Sequence, residues 1–151
     1  MKRHARGVTL VELMVTLGLL AILLGIGVPA FRDLIRRNLV TTQANELLST
    51  LQYGRSEAAK RGTPVTVTIT AGDDTGWIAT VASGATQLRV TDRMATRAAL
   101  DLGGDEEVAV TFAGTGFVTA AGSFEISAGD AVRWVCLQPS GMARVDKDGC
   151  N

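Results

Sequence analysis

Histidine is almost missing from these 151 residues: the single one, His4, lies in the first few positions. A Ser–His or Cys–His nucleophile pair is therefore excluded from the body of the chain, and zinc would have no imidazole ligand there. Cysteine is also scarce. Cys136 and Cys150 both lie near the C-terminus, and in an extracytoplasmic compartment such a close pair is expected to form a disulfide, whose loop would stabilise the fold by ~3 kcal/mol in the chain-entropy account. Nor is there an excess of one charge. The 15 basic residues balance 15 acidic ones, and without Lys2, Arg3 and Arg6 the balance is 12 to 15. Such a chain has no bulk attraction for a phosphate backbone, so nucleic-acid binding would need a local basic patch.

The acidic pairs do not assemble into a site. Asp73-Asp74 and Asp105-Glu106-Glu107 fall among turn residues, where solvated surface is the simplest reading. Asp146-Lys147-Asp148-Gly149 has the opening of a calcium loop but lacks its remaining oxygen ligands and closing Glu, and it makes a good polar turn. No catalytic residue, cofactor or metal is expected. No repeat or low-complexity segment is present.

What the chain does have is a long apolar run. Between Val8 and Phe31 the one ionisable residue is Glu12, in a stretch about as long as a bilayer-spanning helix. A basic leader with Lys2, Arg3 and Arg6 precedes it, which places the N-terminus on the cytoplasmic side and the rest on the other. An ordinary secretory signal would have a shorter apolar core and a clear cleavage site; Gly27-Val28-Pro29-Ala30 is a weak one. A carboxylate inside an apolar helix costs several kcal/mol unless it is paired, so Glu12 is expected to be functional. Gly18, Gly25 and Gly27 offer small surfaces for helix contact. Pro29 removes a backbone donor, and a bend between Gly25 and Pro29 is expected.

The string Gly7-Val8-Thr9-Leu10-Val11-Glu12-Leu13-Met14-Val15, with basic residues before it and Pro29 beyond, resembles the signal of type IV pilins and type II secretion pseudopilins. The resemblance implies that a prepilin peptidase/methyltransferase cuts between Gly7 and Val8 and methylates the new amine. The family more often has Phe where Val8 stands. It also implies that Glu12 pairs with the N-terminal amine of a neighbouring subunit and sets the axial register of a filament. Pairing with its own amine, one helical turn away, is the alternative.

Beyond Pro29 the pattern becomes amphipathic. Val40, Ala44, Leu47, Leu48, Leu51, Arg55, Ala58 and Ala59 recur at helical spacing until Gly62 and Pro64 stop the run. One helix from Val8 to about Arg61 is predicted, half in the membrane and half laying an apolar stripe on a sheet. Its end, Arg55-Ser56-Glu57-Ala58 with Arg61-Gly62, is similar to the closing motif of the GspH/FimT branch. Gly54 and Ala58 are expected at the helix–sheet contact, and Arg55 and Glu57 are expected as a local ion pair on a solvated face.

From Val65 the period becomes two. Strands are predicted at Val65–Thr70, Trp77–Val81, Leu88–Val90, Glu107–Phe112, Phe117–Val118, Phe124–Ser127 and Val132–Leu137, with a last one in Gly141–Val145. Trp77, Phe112, Phe124 and Trp134 are predicted to fill the core. The expected fold is α+β: a long N-terminal helix packed on a small antiparallel β-sheet or β-sandwich domain. Its parts are a leader of residues 1–7, a membrane or filament-core helix of residues 8–31, and a periplasmic domain of residues 32–151.

The stretch Gly141-Met142-Ala143-Arg144 resembles the tail of FimT-type proteins, where a Gly-Arg-x-Arg motif is associated with DNA. Only the second arginine is kept here, so Arg144 and Lys147 are the DNA-contact candidates, and a plain strand-end surface is the better reading of them. The resemblance as a whole implies a structural subunit of the inner membrane whose partners are other pilins or pseudopilins, met through the N-terminal helix. Either a type II secretion pseudopilus or a type IV pilus would fit.

Overall fold

The computed structural model describes residues 9–72, 76–91 and 98–150. Gly7, Val8, Asp73 and Asp74 lie outside these. Two compact units divide the chain, Met1–Ile35 and Arg36–Asn151.

Helix α1 runs from Leu10 to Arg61, with Pro29 inside it. Its portion within the first unit is exposed throughout, and Leu10, Ile22, Leu23 and Ile26 are each more than 60% exposed. A soluble helix does not leave its whole circumference apolar and bare. By length and composition this one can cross a membrane.

In the second unit α1 buries one face. Val40, Ala44, Leu47, Leu51 and Ala58 are fully buried, and their spacing of four, three, four and seven residues keeps them on one stripe. At the helix end, Gly62 takes a left-handed φ of 64° and its N–H reaches the Ala58 carbonyl at 2.9 Å. The helix therefore stops where glycine permits the reversal.

Among the described residues eight strands follow: β1 (Val65–Thr70), β2 (Ile78–Ser83), β3 (Thr86–Val90), β4 (Ala99–Asp101), β5 (Glu107–Phe112), β6 (Gly122–Ala128), β7 (Ala131–Leu137) and β8 (Ala143–Asp146). They form two antiparallel sheets of four, ordered β3-β2-β1-β5 and β4-β6-β7-β8. The alternation in β1 turns Val65, Val67 and Ile69 inward, while Thr66 and Thr70 face outward, bonding to Thr111 and Glu107. Phe124, Ile126, Val135 and Leu137 bring the second sheet into the same core as α1 and β1.

Where the chain departs from the expected pattern, the cause is tertiary. Phe117–Val118 is no strand; only the Phe112–Val118 bridge forms, because the segment folds into a tight turn. Strand β4 is too short to stand out by periodicity and exists through its pairing with β6. Trp134 does not join the core. It is half-buried and lies opposite Glu125 and Asp146 on the other face of the sheet, since the register sets Val135 against buried Phe124. The other three aromatics are buried, and Trp77 Nε1–H donates to Gln43 Oε1 at 3.0 Å inside the domain.

Candidate functional site

The first candidate is the start of α1. Thr9-Leu10-Val11-Glu12 has the spacing of a helix capping box, and the Thr9 hydroxyl oxygen accepts the Glu12 N–H at 3.2 Å. Thr9 is thus the N-cap and Glu12 the third helical residue, where a carboxylate is favoured by the unpaired amides and dipole of the helix end. This T-x-x-E signal was available in the sequence, hidden by the apolar run around it. The Glu12 side chain is exposed, as are its apolar neighbours Leu13, Met14 and Val15. Among the described residues, nothing beyond the adjacent backbone of α1 lies within 4 Å of where a Cβ would stand on Gly18, Gly25 or Gly27.

The second candidate is the C-terminal loop. Cys136 and Cys150 are joined in a disulfide, their Cα atoms 5.4 Å apart. Inside the loop, Asp146 Oδ1 accepts the N–H groups of Lys147 at 2.7 Å and Asp148 at 3.2 Å. These bonds, that from Asp148 foremost, hold the Asp146 carboxyl below its ordinary range. The acidic run is therefore an Asx turn, and among the described residues no group of three His, Cys, Asp or Glu side chains comes together.

Arg144 and Lys147 open onto different clefts. Arg144 lies opposite Cys136 in the ladder, with its Nε 3.7 Å from Asp146 Oδ2, and lines a cavity of about 350 Å³ with Ser123, Gln138 and Cys150. Lys147 instead lines a cleft with Arg37 and Arg133. The two are not brought together as one patch.

The helix end also differs from the expected local ion pair. Glu57 is nearly buried and bonds Arg61 Nε at 2.8 Å, with Lys60 Nζ at 3.6 Å. The Arg61 hydrogen bond lowers the Glu57 pKa. Arg55 turns the other way, its Nε donating to the Gly116 carbonyl at 3.2 Å. Gly141, at φ 75°, packs on the same carbonyl, and Val118 N–H donates to the Pro139 carbonyl at 3.1 Å. Arg55 thereby ties α1 to two stacked turns. Gly141, which opens the tail motif, is required here because a side chain would collide with Gly116 backbone. No periodicity predicts this contact, since its residues lie 61 apart in sequence.

Residues 43–141 match the model of a family described as type II transport protein GspH, and residues 2–28 match the prokaryotic N-terminal methylation motif. Among solved structures the fold is similar to that of the Pseudomonas aeruginosa type IV minor pilin FimU. One crystal form superposes with a TM-score of 0.61 at 24% identity, over 76% of this chain and 97% of that one. A second form gives 0.58 at 23% identity, over 74% and 99%. At these identities the likeness is one of fold. No curated protein is significantly similar to the chain.

Proposed function

Starting from a chain that belongs to the GspH family and has a pilin-like fold, we propose that it is a minor pseudopilin of a type II secretion system, a subunit that helps initiate or cap a periplasmic pseudopilus. Family and fold are those of structural pilin subunits rather than enzymes. The observation that carries the reading is the pairing of a GspH-type domain with a bare apolar helix whose first turn holds a single carboxylate, Glu12.

In this reading residues 1–7 are a leader that prepilin peptidase removes at Gly7–Val8, in keeping with the N-terminal methylation motif. Residues 8–31 sit in the inner membrane and later in the filament core, with the N-terminus cytoplasmic, and residues 32–151 are periplasmic. Cleavage leaves a positive amine at Val8 close to Glu12. In low dielectric these charges attract strongly, and a buried charge left without its partner costs about 3–5 kcal/mol. Glu12 of one subunit then selects the amine of the next, and Pro29 provides the place where the helix bends.

Mass spectrometry of the mature chain should find methylated Val8 as the first residue; any other start overturns the anchor argument. Glu12→Ala should keep processing and lose filament assembly, whereas a variant whose function is intact would point to an isolated membrane-tethered domain. The FimU-like fold supports a second reading, a minor type IV pilin acting in pilus biogenesis, twitching or DNA uptake. Deletion separates the two: loss of exoprotein secretion supports the first, and loss of twitching or transformation the second. DNA contact through Arg144 predicts salt-sensitive duplex binding that falls in Arg144→Ala.

A further inference from the structure

Arg37 of α1, Arg133 of β7 and Lys147 after β8 line one open cleft of about 330 Å³, with Asp130 as its acidic member. The β7–β8 ladder ends at Trp134 opposite Asp146, one step short of setting Arg133 against Lys147. Like charges directly opposite are unfavourable in a ladder, and the Asx turn at Asp146 begins at that point. Among the described residues, none of the three cations has a carboxylate within ion-pair distance. Arg133 Nη1 donates to the Val132 carbonyl at 2.7 Å, which steadies its guanidinium. On the same stretch of helix, Arg36 packs over Gly129 in the β6–β7 turn.

We propose that the cleft of Arg37, Arg133 and Lys147 binds the phosphate of an anionic phospholipid headgroup. The inference rests on the reading of residues 8–31 as the membrane segment. Arg37 comes six residues after Phe31, where that segment ends, about 9 Å along a helix axis. Cations at the end of an apolar span meet the phosphate layer, and Arg and Lys together offer charge-assisted bonds to its oxygens. Nucleic acid fits less well, because the chain beyond Phe31 carries 12 basic against 14 acidic residues and the cleft gathers its cations at one spot rather than along a stripe.

The test uses the full chain in neutral detergent. Short-chain phosphatidylglycerol, phosphatidylcholine, inorganic phosphate and a duplex oligonucleotide are titrated in turn, with binding followed by thermophoresis. Saturable binding of phosphatidylglycerol is expected, weakened about fivefold for each charge removed and roughly 25-fold in Arg133→Gln/Lys147→Gln. Arg144→Gln, outside the cleft, should bind normally. If the double variant unfolds, Arg37→Gln on the exposed helix surface replaces it, with the fivefold loss expected.

Equal binding of phosphatidylcholine overturns the proposal, as does unchanged affinity in the cleft variants. Inorganic phosphate binding as tightly would make the cleft a free-anion site, and displacement of the lipid by duplex at lower concentration a nucleic-acid site; both overturn the lipid assignment. Carbonate extraction of membranes separates this failure from that of the membrane reading. A chain that stays in the pellet but shows no phosphatidylglycerol preference sinks only the cleft, whereas a chain that is extracted sinks the anchor itself.

Discussion

Gly54→Ala is the sharpest probe of how α1 docks. A methyl group at this position would stand 2.5 Å from Val67 Cγ2 and 3.5 Å from two atoms of the Phe112 ring. Carbon atoms settle at about 3.5–4.0 Å, so the shortfall against Val67 is about 1 Å. Val67 has no easy retreat. It is fully buried, its β-branched side chain is stiff, and its strand is paired on both sides, with Val67 opposite Val81 and Val110. Overpacking of this kind costs about 1–3 kcal/mol. Replacing glycine by alanine in a helix returns up to ~1 kcal/mol.

The expected net loss is therefore up to about 2 kcal/mol, or a fall in Tm of up to roughly 8 °C for a domain of this size. Urea unfolding of the detergent-solubilised full chain, followed by tryptophan fluorescence, measures it. Val67→Ala removes the colliding atom, so adding Gly54→Ala in that background should cost little or stabilise. The same change in stability on adding Gly54→Ala in both backgrounds would refute the docking argument.

Other expectations follow from the same structure. Gly141→Ala should destabilise more than Gly54→Ala, because its neighbour is the Gly116 backbone and its φ of 75° disfavours a side chain; the urea midpoint reports it. Reducing Cys136–Cys150, 14 residues apart, should cost ~3 kcal/mol and lower Tm under reducing conditions. Gln43→Ala leaves the buried Trp77 N–H without its acceptor and should cost about 1–3 kcal/mol, more than Gln52→Ala on the exposed face of the helix. Glu57 has its pKa lowered from 4.5 by Arg61, so its contribution is complete above that value and lost as pH falls through the depressed one. Acid unfolding of Glu57→Gln should consequently show a shallower loss in that range.

Much of this was readable from local chemistry. The apolar run, the change from helical to alternating period at Val65, and the Gly62–Pro64 stop locate α1 and most strands, because each depends only on residues a few places apart. β1 and β5 have their predicted limits, Val65–Thr70 and Glu107–Phe112. The N-terminal signal with Glu12 was legible for the same reason, although its Thr9 cap was masked by the apolar residues around it.

The remainder needed the folded chain. Periodicity cannot say which face of β7 meets the core, so Trp134 became an outer residue only once the register matched Val135 to Phe124. The reach of Arg55 to Gly116 and the meeting of Arg37, Arg133 and Lys147 join segments far apart in sequence. Sequence by itself determined the long apolar helix, the family-like ends of α1 and most of the strands, since those are written in propensity and pattern. Tertiary structure alone decided which charges share a cleft and which glycines cannot change, because these follow from the packing of distant backbones.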